Sequence, residues 1–150
     1  MTANQPRLVL TNLPNAELAE RLAKDLVTQR LAACVNVLAP CRSYYIWQGA
    51  LQEDGEIPLL IKTTAKLYPA VEAYLHKHHP YELPEIIALN IESGLPEYLR
   101  WMSDSVAHKS FAGPSQERLG PLGGRLGFYE PGADVNQAIE SAGPASTSPA

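Results

Sequence analysis

The chain has no surplus of positive charge. Twelve Lys and Arg stand against sixteen Asp and Glu over 150 residues, a net charge of −4 with histidines neutral. A protein that grips nucleic acid or an anionic membrane non-specifically needs the opposite balance, so neither partner is expected. Long apolar runs are also missing. The longest, such as Ile57 to Ile61, fall far short of the roughly 20 residues a membrane-spanning helix requires. The start, Met1-Thr2-Ala3-Asn4-Gln5-Pro6, lacks the basic segment and apolar stretch of a secretory signal, so the expected location is cytoplasmic. Cysteine is scarce, with Cys34 and Cys41 only. On one extended strand they would lie roughly 23 Å apart, against the less than about 7 Å between Cα atoms that a disulfide allows. Two half-buried thiols are expected, unless the strand breaks at Pro40.

Signatures of catalysis are absent as well. There is no G-x-S-x-G nucleophile elbow. The glycines from Gly120 to Gly127 follow no strand and lack the Lys-Ser/Thr pair of a phosphate loop. No nucleophile–base or acid–base pair stands out, so the chain is not expected to be an enzyme.

What is present divides near residue 110. Beyond it, glycine and proline recur from Gly113 to Pro149, and Ser141 to Ala150 is small and polar. Such a segment buries too little apolar surface to offset its ordering entropy, so residues 111–150 are expected to be largely disordered. An island from Leu122 to Tyr129 carries Leu126, Phe128 and Tyr129, apolar side chains with which to dock. A flexible start over 1–6 and one domain over 7–110 complete the division.

Within that domain, Leu8-Val9-Leu10-Thr11 reads as a buried strand ended by Asn12 and Pro14. Asn15 can cap a helix with Glu17 in its first turn, and Leu18, Leu22 and Leu26, with Ala19 and Ala23 beside them, form a core-facing stripe. Ala33 to Leu38, Tyr44 to Trp47 and Ile57 to Thr64 read as strands, with a hairpin around Gly49 and Gly55. Pro58 suits an edge or a strand start. A second helix from about Leu67 has Pro69 in its first turn and an apolar face of Leu67, Val71 and Leu75, and His79-Pro80 ends it. Ile86 to Ile91 reads as a further strand, and Gly94 and Pro96 open a last helix carrying Tyr98, Leu99, Trp101 and Met102. The order β-α-β-β-α-β-α predicts an α+β, ferredoxin-like βαββαβ fold with an antiparallel sheet and an extra C-terminal helix. An RNA-recognition domain shares that order, but its stacking aromatics are missing from Leu8-Val9-Leu10 and Leu59-Leu60-Ile61-Lys62.

Five segments carry a resemblance: Leu31-Ala32-Ala33-Cys34-Val35-Asn36, Ser43-Tyr44-Tyr45-Ile46-Trp47-Gln48-Gly49, Leu60-Ile61-Lys62-Thr63-Thr64, His78-His79-Pro80-Tyr81-Glu82-Leu83-Pro84-Glu85-Ile86 and Tyr98-Leu99-Arg100-Trp101. In order and spacing, over about residues 7–106, they resemble the CutA divalent-cation tolerance family. The resemblance implies a homotrimer of the kind formed by nitrogen-regulatory PII proteins, with sheets joined across subunits. It also implies a link to copper or another divalent cation, with no established catalytic reaction. Three positions depart from the pattern. Thr11 stands where some members have a copper-ligating cysteine, which removes the softest ligand. Pro58 replaces a residue able to donate to a strand ladder. The tail beyond residue 110 exceeds the family's usual C-terminus.

Two residue sets are candidates for chemistry. The first is His76-Lys77-His78-His79 with Glu82 and Glu85, imidazoles and carboxylates suited to Zn²⁺ or Cu²⁺. The resemblance favours His78 and His79, and Glu85 completes the expected metal set; His76 is this sequence's own addition. His78 and His79 point apart while helical, so one metal would hold both only if the helix unwinds before Pro80. Histidines at a helix end, favoured there by the dipole, are the competing account. The second set is Tyr45, Trp47, Lys62, Tyr81 and Glu85, which could line a ligand cleft between subunits or serve as trimer interface. Three functions follow: a metal-responsive trimer binding copper or another divalent cation, a PII-like small-ligand sensor, and a trimeric scaffold presenting its tail to a partner.

Overall fold

The structure, a computed structural model, describes residues 4–107; the expected tail over 111–150 and its Leu122–Tyr129 island lie outside them. Five strands and three helices follow the order β1 (Pro6–Leu13), α1 (Ala16–Thr28), β2 (Cys34–Val37), β3 (Cys41–Trp47), β4 (Ala50–Thr64), α2 (Tyr68–His78), β5 (Ile86–Asn90) and α3 (Pro96–Ala107). All pairings are antiparallel: β2, β4, β1 and β5 lie side by side in that order, and β3 pairs with β4 alone. This is the expected α+β arrangement, with the second strand in two pieces.

The period-2 pattern of β1 and β4 places Val9, Thr11 and Leu13, with Ile57, Leu59, Ile61 and Thr63, on one buried face. Helix α1 covers that face because Ala19, Leu22, Ala23 and Leu26 recur at helical spacing, and α2 adds Val71 and Leu75. Asn15 caps α1 as expected, its side-chain oxygen accepting from the Leu18 amide at 2.9 Å. Tyr74 on α2 donates its hydroxyl to Asp25 on α1 at 2.8 Å. A second cluster forms around α3, where Met102 and Val106 pack with Ala33, joined by Leu67, Tyr98 and Trp101.

Two expectations change. Gln5 and Pro6 belong to the folded body: Pro6 opens β1, the Gln5 carbonyl accepts from the Ala65 amide at 2.8 Å, and its side chain donates to the Ile91 carbonyl at 3.0 Å. Pro58 lies inside the 15-residue strand β4, away from its start. The reason is local. Its carbonyl accepts from the Leu38 amide at 3.0 Å, and in an antiparallel ladder a residue's N–H points the same way as its C=O. The donor that proline lacks therefore faces residues 38–40, where β2 has ended and β3 has not begun. Pro40 and Pro58 sit at the same gap. Cys34 and Cys41 flank it as free, half-buried thiols.

Candidate ligand-binding cavity

The β3–β4 hairpin closes through Gln48 and Gly49, with φ of 49° and 80°. Two successive positive φ values mark the tight turn whose twist matches a right-handed strand pair, and glycine adopts the second without strain. Alternation then assigns side chains to faces. Cys41, Ser43, Tyr45 and Trp47 share one face with their partners Glu56, Asp54, Gln52 and Ala50. Arg42, Tyr44 and Ile46 share the other with Gly55, Glu53 and Leu51, and there the Tyr44 hydroxyl donates to Glu53 at 3.0 Å.

Beneath the first face, where the end of β1 meets the segment after α2, lies a cavity of about 540 Å³. Tyr45, Trp47 and Tyr81 supply aromatic wall, and Glu56, Glu82 and Glu85 supply carboxylates. Asn12, Ser43, Tyr44 and Leu83 complete the lining. Glu56 is only 8% exposed, an uncommon position for a carboxylate. The Tyr81 hydroxyl serves it as hydrogen-bond partner, and burial, the Glu56 charge and that hydrogen bond together push the Tyr81 phenol up to about 12. Tyr81 is therefore a permanent donor at neutral pH. Tyr45 donates to Asp54, which raises its own pKa. At the rim, the Asn12 side-chain amide donates to Glu85 at 2.5 Å.

His79 holds this region together. Helix α2 stops at His78, and His79 is extended, with φ −77° and ψ 131°, because Pro80 follows. Its ring turns inward and is 7% exposed. Nε2 lies 2.7 Å from the Asn12 carbonyl, and Nδ1 lies 3.2 Å from the Tyr81 amide nitrogen. A carbonyl only accepts and an amide N–H only donates, so the imidazole is neutral with its hydrogen on Nε2. Burial pushes its pKa down, outweighing the Asn12 hydrogen bond and the Glu56 charge. The ring also rests on Tyr81, centroids 4.7 Å apart.

The helix end does unwind before Pro80, yet His78 and His79 do not converge. His79 has both nitrogens engaged with backbone. His78 is exposed, its ring 4.5 Å from that of Tyr74, and Glu85 is tied to Asn12. Among the described residues no group of three or more His, Cys, Asp or Glu could hold a metal ion. Thr11 points into the core at 1% exposure, its hydroxyl without a hydrogen-bond partner among the described residues. Of the second candidate set, Tyr45, Trp47, Tyr81 and Glu85 all line the cavity and Lys62 does not. Lys62 pairs in register with Leu8 and Cys34, and its ammonium lies 5.8 Å from the Tyr98 ring centroid on α3. Sequence reasoning missed Asn12 and Glu56. The signal for Glu56 was an acid two residues ahead of Pro58, on the parity that Leu60 and Lys62 share.

The sequence model described as "CutA1 divalent ion tolerance protein" matches residues 7–105. The divalent-cation tolerance protein CutA of Thermus thermophilus is 45% identical over 98 residues, covering 65% of this chain and 95% of that protein. Mouse protein CutA is 41% identical over 104 residues, covering 67% of this chain but 59% of the mouse protein. A solved structure of the divalent cation tolerance protein from Thermus thermophilus superposes with a TM-score of 0.66 at 43% identity, covering 68% of this chain and 99% of that one. None of these names is that of an enzyme. The expected cytoplasmic location is overturned: a relative from Archaeoglobus fulgidus is described as periplasmic, and relatives from rice and Arabidopsis thaliana as chloroplastic. Composition and the length of apolar runs do not set a compartment, and these relatives are described in others. Matched over nearly all of its described residues, the chain belongs to the CutA1 divalent ion tolerance protein family.

Proposed function

We propose that the chain is a non-catalytic, homotrimeric divalent-cation tolerance protein whose working part is the cavity beneath the β3–β4 hairpin, a small-ligand sensing site. The observation that carries this reading is Glu56, a buried carboxylate on the wall of a 540 Å³ cavity, with Tyr45, Trp47 and Tyr81 around it. Small-molecule sites combine such apolar wall with a few converging polar groups. Self-association is supported by the sheet face turned away from α1 and α2. There Leu10 lies between Leu60 and Ile87 in register, Leu8 lies beside Leu89, and Ile87 and Leu89 are about half exposed. Ile46 and Leu51 on the far side of the hairpin are about two-thirds exposed. Contiguous apolar surface of this kind marks an interaction site.

A second reading, direct Cu²⁺ or Zn²⁺ binding at the end of α2, is favoured by the exposure of His76 and His78. Parallel calorimetric titrations of Cu²⁺ and Zn²⁺ into the parent and into His76→Ala/His78→Ala separate the two. This pair leaves the buried His79 intact. Weak binding, equal in both proteins, supports the cavity reading. Tight stoichiometric binding lost in the variant would establish the metal reading instead.

A further inference from the structure

We propose that the cavity binds a small aliphatic amine in its ammonium form, with the N–H donors directed to Glu56 and the carbon chain lying against Tyr45, Trp47 and Tyr81. This rests on the reading of the cavity as the ligand site and adds the chemistry of the ligand.

The sign of the charge comes first. Glu56, Glu82 and Glu85 line the cavity, and among the described residues no Lys, Arg or His does. The Asp54 carboxylate also acts on Tyr45 and Tyr81 from the same hairpin face. An anionic ligand would meet repulsion, and Lys62, the one cation of the candidate set, lies against Tyr98 and not in the cavity lining.

Glu56 then defines what sits deepest. A carboxylate offers about four acceptor positions, and the structure gives Glu56 a phenolic donor in Tyr81. A buried charge is stabilised when paired and hydrogen-bonded. A primary ammonium supplies both, with three N–H donors and one positive charge.

A bare metal ion fits less well. Metal sites gather four or more ligand atoms at about 2.0–2.6 Å, and among the described residues the cavity's carboxylates form no such group. Tyrosine and tryptophan rings stand beside them instead. Ring faces attract organic cations within about 6 Å and cover methylene groups. The volume, about 540 Å³, falls within the usual range for small-molecule sites.

The test uses the full chain with 1,4-diaminobutane at neutral pH, followed by calorimetry and by tryptophan fluorescence, with glutarate and 1,4-butanediol as anionic and neutral probes of similar length. The expected result is saturable binding of the diamine at one site per chain, weakened at least about tenfold in Glu56→Gln. Trp47→Leu should weaken it as well and remove the fluorescence change, which serves as the check if Glu56→Gln fails to fold. Diamine binding that is absent, or equal in both variants and the parent, overturns the proposal. Binding of glutarate or butanediol alone, lost in Trp47→Leu, overturns the ammonium class and leaves the cavity as the ligand site. Binding of none of the three overturns both.

Discussion

His79 spends both ring nitrogens on backbone atoms, one on the Asn12 carbonyl and one on the Tyr81 amide. Protonating Nδ1 would set two donors against each other, and burial already holds the ring's pKa below its ordinary value. The sign of the pH dependence follows. The unfolded chain takes up this proton at about 6.5, and the folded chain only at lower pH. The stabilisation is therefore complete above about 6.5 and lost as pH falls below it. Thermal melts from pH 8 to pH 5 should show a falling midpoint in the parent and a flatter profile in His79→Gln, whose amide can donate to one backbone atom and accept from the other. Thr11 gives a second residue-scale outcome. Its hydroxyl is buried without a partner among the described residues, so Thr11→Val, nearly the same shape, should raise stability by about 1 kcal/mol in urea melts. The sequence showed that His79 ends a helix, and it showed the chemistry of an imidazole. It did not show the direction of the ring, which depends on where the distant Asn12 carbonyl lies.

Elements were more legible, because each is fixed by neighbours in sequence. Asn15, the α1 stripe, Pro69 and the His79-Pro80 stop all act within a turn or two, and all lie where the pattern placed them. Asn15→Ala should cost about 1 kcal/mol by removing the cap, measurable as a lower midpoint with the native far-ultraviolet spectrum retained. The hairpin turn is more sensitive. Gly49 has φ of 80° with nothing within 4 Å of where a Cβ would stand, so any penalty there is backbone strain alone. Gly49→Ala should destabilise by about 1 kcal/mol and broaden the amide signals of Tyr45 and Trp47 in NMR spectra. Pro58 is less legible. Its residue type argues for an edge, and the strand is in fact central, but its missing donor faces the gap after Val37. That gap is created by β2 and β3 pairing with one long partner, a long-range arrangement that local pattern does not reveal.

At the scale of the whole molecule, the fold class followed from element order, while the site required the assembled sheet. Tyr45 and Trp47 share a face by alternation, which is legible in sequence. Tyr81 and Glu85 join them only because the segment after α2 crosses the end of β1. Lys62 lies two positions beyond Leu60 on the same strand face, yet α3 packs Tyr98 beside it, and the pattern around Lys62 held no sign of that helix's path. The open sheet face argues for assembly: sedimentation equilibrium should give the mass of three chains, and Ile87→Lys, at a half-exposed position of β5, should shift the mass toward one chain without lowering helix content.

Under the proposed function, divalent-cation tolerance depends on the Glu56 cavity and not on the histidines at the end of α2. The direct measurement is growth in graded Cu²⁺ of cells deleted for this chain and complemented with the parent, Glu56→Gln or His76→Ala/His78→Ala at matched expression. The expected outcome is that the histidine variant restores tolerance as the parent does and that Glu56→Gln does not. Full restoration by Glu56→Gln with failure of the histidine variant would contradict it.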